Sequence, residues 1–257
     1  MSLRIAFDLD GVLADMETAL VRQAETVFGE EMVRSLEVGA SGTTEAGQDP
    51  GSTGARSDSQ DQHGPAAASD APPPLAKLNL TSRQQRKLWR QVATVENFWE
   101  TLDETEPGIV ARLWKLAADR RWEVIFLTKR PKTIGATAQV QSQRWLVSKG
   151  FPLPSVYVVT GSRGRIAAAI DLDVVIDDRP ENCLDVTIDS KARAILVWRE
   201  DEKALPAGAR RLGIGVVRSV SDCLDILTTL DEHQTQQDPG LIARVRKMLG
   251  LKEPAGV

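Results

Sequence analysis

A three-layer α/β fold, with a parallel sheet covered by helices on both faces and a helical insertion after the first strand, is predicted by three features of the sequence. Short and almost wholly apolar runs, such as Ile5-Ala6-Phe7 and Val174-Val175-Ile176, alternate with stretches at helical spacing. Strands buried on both faces read this way, whereas a sheet with one wet face would alternate apolar and polar residues. The apolar runs end on acidic residues, Asp8 and Asp10 in the first case and Asp177 and Asp178 in the second. The stretch between the first two strands is helical and far longer than a usual crossover.

In order along the chain, the first strand covers about residues 3–8. Met16, Leu20, Ala24, Val27, Phe28 and Met32 then mark a helix over residues 15–36, with Asp15 placed to cap it. Residues 39–74 carry almost no large apolar side chain, so they cannot bury enough surface to offset their ordering entropy. A disordered loop is expected there, serving either as a functional lid or as a plain insertion. Thr81-Ser82-Arg83-Gln84 has the capping-box pattern, and Leu88, Val92 and Val95 share one face of the helix that follows. After Phe98-Trp99 and an acidic turn, Pro107 is a favourable first residue for a helix ending near Arg120. Further strands are expected at 122–127, 156–159, 174–176, 194–198 and 214–217. Helices are expected at 136–149, 163–170 and from Ser221 to about 230. Residues 233–257 form a tail whose helical spacing (Leu241, Val245, Met248, Leu249) would dock or fray.

With 257 residues, 42% of them hydrophobic, the chain can build one large α/β domain carrying an insert. Its formal charge of −4 argues against a dedicated nucleic-acid surface, which would be basic. No apolar stretch approaches the ~18 residues of a membrane span. The chain runs straight into a strand, leaving no room for a signal peptide, and a cytoplasmic protein is expected. Cys183 and Cys223 lack metal-ligand spacing and fit a reducing compartment. The only histidines are His63 and His233, so a histidine triad or zinc site is nearly excluded and carboxylates must carry any chemistry. Nothing in the sequence speaks to oligomeric state.

Ligands of open parallel sheets bind beyond the carboxyl ends of the strands, where Asp8, Asp10, Thr128, Asp177 and Asp178 all fall. Asp8 and Asp10, two residues apart, can share a face. At ~4 Å and an effective dielectric of ~20, each like-charged pair repels by roughly 4 kcal/mol. A hard cation such as Mg2+, which prefers oxygen ligands, relieves that repulsion. An Asp-x-Asp alone also occurs at helix caps and sugar-nucleotide metal sites.

Asp8-Leu9-Asp10-Gly11-Val12, Phe126-Leu127-Thr128 and Ile176-Asp177-Asp178, in that order, resemble the haloacid dehalogenase superfamily of Mg2+-dependent phosphohydrolases. The resemblance spans roughly residues 3–230, apart from the low-complexity stretch. Within the superfamily, the run from Asp8 through Ala14-Asp15, the helical insertion and Ile176-Asp177-Asp178-Arg179-Pro180 look most like the 5'(3')-deoxyribonucleotidase group. The resemblance implies a Rossmann-like catalytic core of residues 1–14 and 104–232, with residues 15–103 as a helical cap. It implies Asp8 as nucleophile and Asp10 as general acid and then base. Asp8, Asp10 (also through its backbone carbonyl), Asp177 and Asp178 would hold Mg2+, with Asp178 the firmer ligand of the last pair. Thr128 would donate to a phosphoryl oxygen.

The sequence departs from the family where a lysine is usual before the Asp-Asp strand. Gly161-Ser162-Arg163-Gly164-Arg165 stands there; Arg163 fits the spacing better and Arg165 is the fallback, unless both are solvated residues of a helix start. Lys129 and Arg130 stand where they would attract phosphate. Phe98 and Trp99, where the cap returns to the core, can stack on a nucleobase or pack the seam, with packing slightly favoured. Trp89 shares that ambiguity, while Trp145 and Trp198 read as core. Asp173 and Asp185 read as surface or turn residues, and Arg179 and Pro180 as shaping the turn after the acidic pair. The expected substrate is a small phosphorylated molecule, a nucleoside monophosphate by the resemblance, with a sugar phosphate as runner-up. The rival from another class is a non-catalytic phosphate- or protein-binding module on the same scaffold.

Overall fold

The structure, a computed structural model, describes residues 2–34 and 78–234, apart from the side chains of 210, 233 and 234. The expectations for residues 39–74 and for the tail beyond 234 lie outside the described residues. Six strands form one sheet: β1 (Arg4–Phe7), β2 (Glu123–Thr128), β3 (Ser155–Val158), β4 (Val174–Asp177), β5 (Arg193–Val197) and β6 (Gly215–Val217). They lie in the order β3-β2-β1-β4-β5-β6, and every neighbouring pair is parallel.

The two-residue alternation of each strand divides the core. Ile5, Phe7, Phe126, Val156, Val174, Ile176, Ile195 and Val197 face one buried cluster, and Ala6, Leu127, Val175, Ala194 and Leu196 face the other. On the first face pack α3 (Ile109–Arg120), α4 (Ala138–Ser148) and α8 (Val220–Gln234). On the second lie α5 (Arg163–Ala169), α6 (Pro180–Asp189) and α7 (Ala207–Arg211). The chain moves outward from β1 through β2 to β3, then returns to β4 beside β1 and moves the other way. The covering helices change face at that reversal, as right-handed crossovers require. Strand order therefore reverses between β1 and β4, which opens a crevice at their carboxyl ends.

Between β1 and β2 lie α1 (Met16–Phe28) and α2 (Ser82–Thr94), packed on each other. Asp15 caps α1 by accepting from the Thr18 amide at 3.0 Å. The Thr81–Gln84 capping box of α2 is formed in full. Leu20 and Ala24 of α1 and Leu88, Trp89 and Val92 of α2 join the same buried cluster as the sheet's first face.

Several element boundaries differ from expectation. The first helix stops at Phe28, where Gly29 takes φ +85°. Pro107 does not start α3: Gly108 at φ +78° caps it, and the Glu104 carboxylate accepts from the Gly108 and Val110 amides at 2.9 Å. The Ser219 hydroxyl, not Ser221, accepts from Asp222 N at 2.9 Å at the start of α8. The helix α6 occupies a stretch where the sequence suggests only a turn, although Pro180 at its first position is a start signal. Trp145 is core, while Trp198 is only half-buried and donates to the Asp201 carbonyl at 3.1 Å.

Candidate active site

Register sets the site. Phe7 pairs with Phe126 on one side and Ile176 on the other, so Asp8 stands abreast of Leu127 and Asp177. The Asp8 amide still donates to the Ile176 carbonyl at 2.8 Å; beyond it the chain leaves the sheet in a tight loop. There the Gly11 amide donates to Ala14 O at 2.9 Å and the Ala14 amide to Leu9 O at 2.7 Å. Gly11 takes φ +83°, and a Cβ at that position would fall 2.0 Å from Asp178 Oδ2, so only glycine fits. Arg199 clamps the loop from outside, donating to the carbonyls of Gly11 and Val12. Glu106 pairs with Arg199 at 3.5 Å and accepts from Val220 N and Ser221 N at 2.6 and 3.0 Å.

A cleft of about 630 Å³ opens over this loop, lined by Asp8, Asp10, Met16, Lys129, residues 159–163, Asp178, Arg179, Glu181, Asn182 and Asp185. Asp8, Asp10, Lys129, Arg163 and Asp178 are thus brought together from distant places in the sequence. Arg163 opens α5, whose Ser162 cap accepts from the Arg165 amide. It reaches Asp8 Oδ1 with Nη2 at 2.7 Å and lies 3.7 Å from Asp177 through Nε. Its Nη1 is buried without a hydrogen-bond partner.

The other residues expected at the site take different places. Arg165 lies outside the cleft: its side chain is 79% exposed and pairs with Asp189 at 3.7 Å. Two residues along a helix turn the side chain through about 200°, so Arg163 and Arg165 cannot face one site. The Thr128 hydroxyl is fully buried and donates to Asp10 Oδ2 at 3.2 Å. Asp177 is turned inward, accepting from Asn182 Nδ2 at 2.9 Å and from the Arg179 amide at 2.9 Å, while Asp178 borders the cleft. Phe98 and Trp99 are buried and do not line the cleft: Trp99 donates from Nε1 to the Pro131 carbonyl at 3.0 Å and packs the seam. Asp185 is no surface residue in effect, since it borders the cleft and accepts from Ser162 Oγ at 2.8 Å.

Arg130 does more than add positive charge near the site. It is buried and grips Asp10 with two prongs, Nε on Oδ2 at 2.9 Å and Nη2 on Oδ1 at 2.6 Å. A signal for this existed, since a residue two beyond Thr128 continues the same side of the chain.

The electrostatics remain anionic despite the two arginines. Burial, then the charge of Asp177, raises the Asp8 carboxyl well above its ordinary value, with Arg163 pulling the other way. Burial and Asp177 push Asp178 up to about 8. Burial also raises Asp177, against Arg163 and Asn182. A crowded, all-oxygen, anionic donor set of this kind suits a hard divalent cation. Among the described residues no three acidic, histidine or cysteine side chains are arranged as a ready-made cage, because Asp8 and Asp10 are turned onto arginines. Both cysteines are buried and unpaired, and no helix among the described residues is long and apolar enough to cross a membrane.

No protein-family model matches the chain, and comparison with curated proteins finds no match. Among solved structures it is similar to a hydrolase from Pseudomonas syringae, at 16% identity and TM-score 0.45, covering 90% of this chain and 99% of that one. It is also similar to a haloacid dehalogenase-like family hydrolase from Xanthomonas campestris, at 16% identity and TM-score 0.47, covering 91% and 98%. Likeness at this level carries no argument about activity.

Proposed function

We propose that the protein is a phosphomonoester hydrolase of the haloacid dehalogenase type, working through an aspartyl-phosphate at Asp8. One observation carries the reading. At the crevice where strand order reverses, Asp8 and Asp10 share a cleft with a buried guanidinium, Arg163, whose Nη1 has no protein acceptor. Arg163 holds Asp8 Oδ1 at 2.7 Å, so a phosphate that reaches Asp8 meets a guanidinium of opposite charge.

In the proposed reaction Asp8 attacks phosphorus through Oδ2, the oxygen that Arg163 does not hold, as the bond to the leaving oxygen breaks. Asp10 serves as the general acid, supplying the proton that this oxygen takes up. Asp10 then takes a proton from water, whose oxygen attacks phosphorus; the Asp8–phosphorus bond breaks, freeing phosphate and restoring both carboxyls. Asp8, Asp178 and the Asp10 carbonyl would hold Mg2+, which neutralises charge so that carboxylate and phosphate can meet.

For the substrate, the resemblance points to nucleoside monophosphates, but the cleft supports a second reading. All 5 Phe, 6 Trp and 1 Tyr of the chain lie among the described residues, and none borders the cleft. A nucleobase would find no ring to stack on. The mouth instead offers Lys129, Ser162, Arg179, Glu181, Asn182 and Asp185, hydrogen-bonding groups suited to a hydroxyl-rich phosphomonoester. The test is phosphate release from a panel of nucleotides and sugar phosphates, with Mg2+ or EDTA, by wild type and Asp8→Asn. Metal-dependent release lost in Asp8→Asn is expected, fastest on sugar phosphates. No release from any compound by folded protein overturns the enzyme reading in favour of a binding module.

A further inference from the structure

We infer that Arg130 is the positioning residue for Asp10, and that it ties the proton-transferring carboxylate to the aromatic seam beneath the site; the inference rests on the hydrolase reading above. Its guanidinium is fixed on three sides. Nε and Nη2 hold both oxygens of Asp10, at 2.9 and 2.6 Å. Nη1 donates to Ser142 Oγ at 2.8 Å, and Ser142 in turn donates to the Ala138 carbonyl at 2.7 Å inside α4. One face lies over the Trp99 ring, 4.8 Å from its centroid. Trp99 is anchored at both ends, its indole N–H on Pro131 O and its backbone amide on Gln141 Oε1 at 3.1 Å.

Each contact removes a degree of freedom. Asp10 stands in the loop past the end of β1, bridged to Ala14 through its backbone, and its carboxylate has two rotatable bonds of its own to be fixed. The planar fork permits one carboxylate plane, and the ring and Ser142 permit one fork orientation. Thr128, donating to Oδ2, adds a third donor to the same carboxylate. Arg130 itself does not border the cleft, so its action passes through Asp10. A group that must protonate a leaving oxygen needs this placement, since general acid catalysis contributes about 10²–10⁴-fold only when the donor is in reach.

The test separates positioning from mere support of the fold. kcat/KM reports formation of the aspartyl-phosphate, so it is compared for an alkyl phosphomonoester, whose leaving oxygen needs a proton, and p-nitrophenyl phosphate, whose leaving oxygen does not. Arg130→Gln is expected to lose roughly 100-fold on the alkyl ester and less than about 5-fold on the nitrophenyl ester. Asp10→Asn should show the same split, and the double variant should fall no further than Asp10→Asn alone, because the two residues act as one unit. Equal losses on both substrates, or a double variant that multiplies the two losses, overturn the inference. Should Arg130→Gln fail to fold, Arg130→Lys carries the same comparison, since an ammonium cannot hold both oxygens in one plane. Should wild type hydrolyse neither ester, the hydrolase reading falls first. The crystal structure of the variant then decides on positioning: an Asp10 carboxylate unmoved without its fork overturns it, and a displaced one upholds it.

Discussion

Replacing Asp178 with asparagine should make the metal-free protein more stable while disabling it. Asp178 ionises near its ordinary value of 3.8 when unfolded but at about 8 when folded, driven by burial and by Asp177. At pH 7 the folded state must therefore keep a proton that the unfolded chain has released. The raised value means that this carboxyl's stabilising contribution is complete below the unfolded value and is lost as pH climbs toward the folded one. About three pH units separate 3.8 from pH 7, and at ~1.4 kcal/mol each the loss is about 4 kcal/mol. An amide in the same place has no charge to desolvate, but leaving its hydrogen bonds unmet costs about 1–2 kcal/mol. The net gain of about 2–3 kcal/mol corresponds to roughly 5–10 °C in Tm for a chain of this size. The assay is thermal unfolding in EDTA at pH 7 and at about pH 4. Asp178→Asn should melt higher at pH 7, with the gap closing at the lower pH. Added Mg2+ should raise the Tm of wild type and leave the variant nearly unmoved, because a ligand stabilises only the state that binds it. A variant that melts at or below wild type in EDTA at pH 7 refutes the reasoning.

Arg165→Ala, at a position with 79% side-chain exposure, should leave kcat/KM within about twofold, whereas Arg163→Lys should lower it by roughly 10- to 100-fold, read by phosphate release. Gly11→Ala must displace Asp178 from its place at 2.0 Å, so it should cost about 1–3 kcal/mol in urea unfolding and weaken Mg2+ binding in calorimetric titration. Burial acts to raise the Glu106 carboxyl, but hydrogen bonds from Ser221 and Val220 and the charge of Arg199 outweigh it and hold the value below 4.5. That stability is present above 4.5 and lost as pH falls through the lowered folded value. Glu106→Gln should therefore cost about 1–2 kcal/mol in urea unfolding at pH 7, with the difference shrinking in acid.

The features legible in the sequence are those decided locally. An apolar run ending in Asp8 or Asp177 announces both a buried strand and the end of it, and parallel sheets place their sites at such ends. Capping signals are equally local, which is why Asp15 and the Thr81–Gln84 box appear where expected. The α6 helix escapes such reading because an acidic pair followed by Arg179-Pro180 also suits a turn, and its buried face comes down to Cys183 and Val186. Whether Phe98 and Trp99 meet substrate or seam depends on how two segments close on each other, which no single window contains.

The arginines show where local reading ends and how far it can be pushed. Arg130 and Asp10 are separated by 120 residues, and Arg163 and Asp8 by 155, so their pairing belongs to the sheet order rather than to any motif. The choice between Arg163 and Arg165 is nevertheless a question of helix phase, and phase leaves a local trace. Gly164 stands between them, and a Cβ there would fall 2.2 Å from the Asp185 carbonyl of α6. The close approach fixes Gly164 as the side of α5 pressed on its neighbour. The Asp185 carboxylate also accepts from the Gly164 amide at 2.9 Å and from Ser162 Oγ at 2.8 Å, so the helix cannot roll. With that phase locked, residue 163 is carried toward the crevice and residue 165 toward water. Gly164→Ala should accordingly push α5 off α6 and loosen Arg163 from Asp8. The expected result is a loss of activity comparable to Arg163→Lys, and a variant that keeps full kcat/KM would show that helix phase does not place the guanidinium.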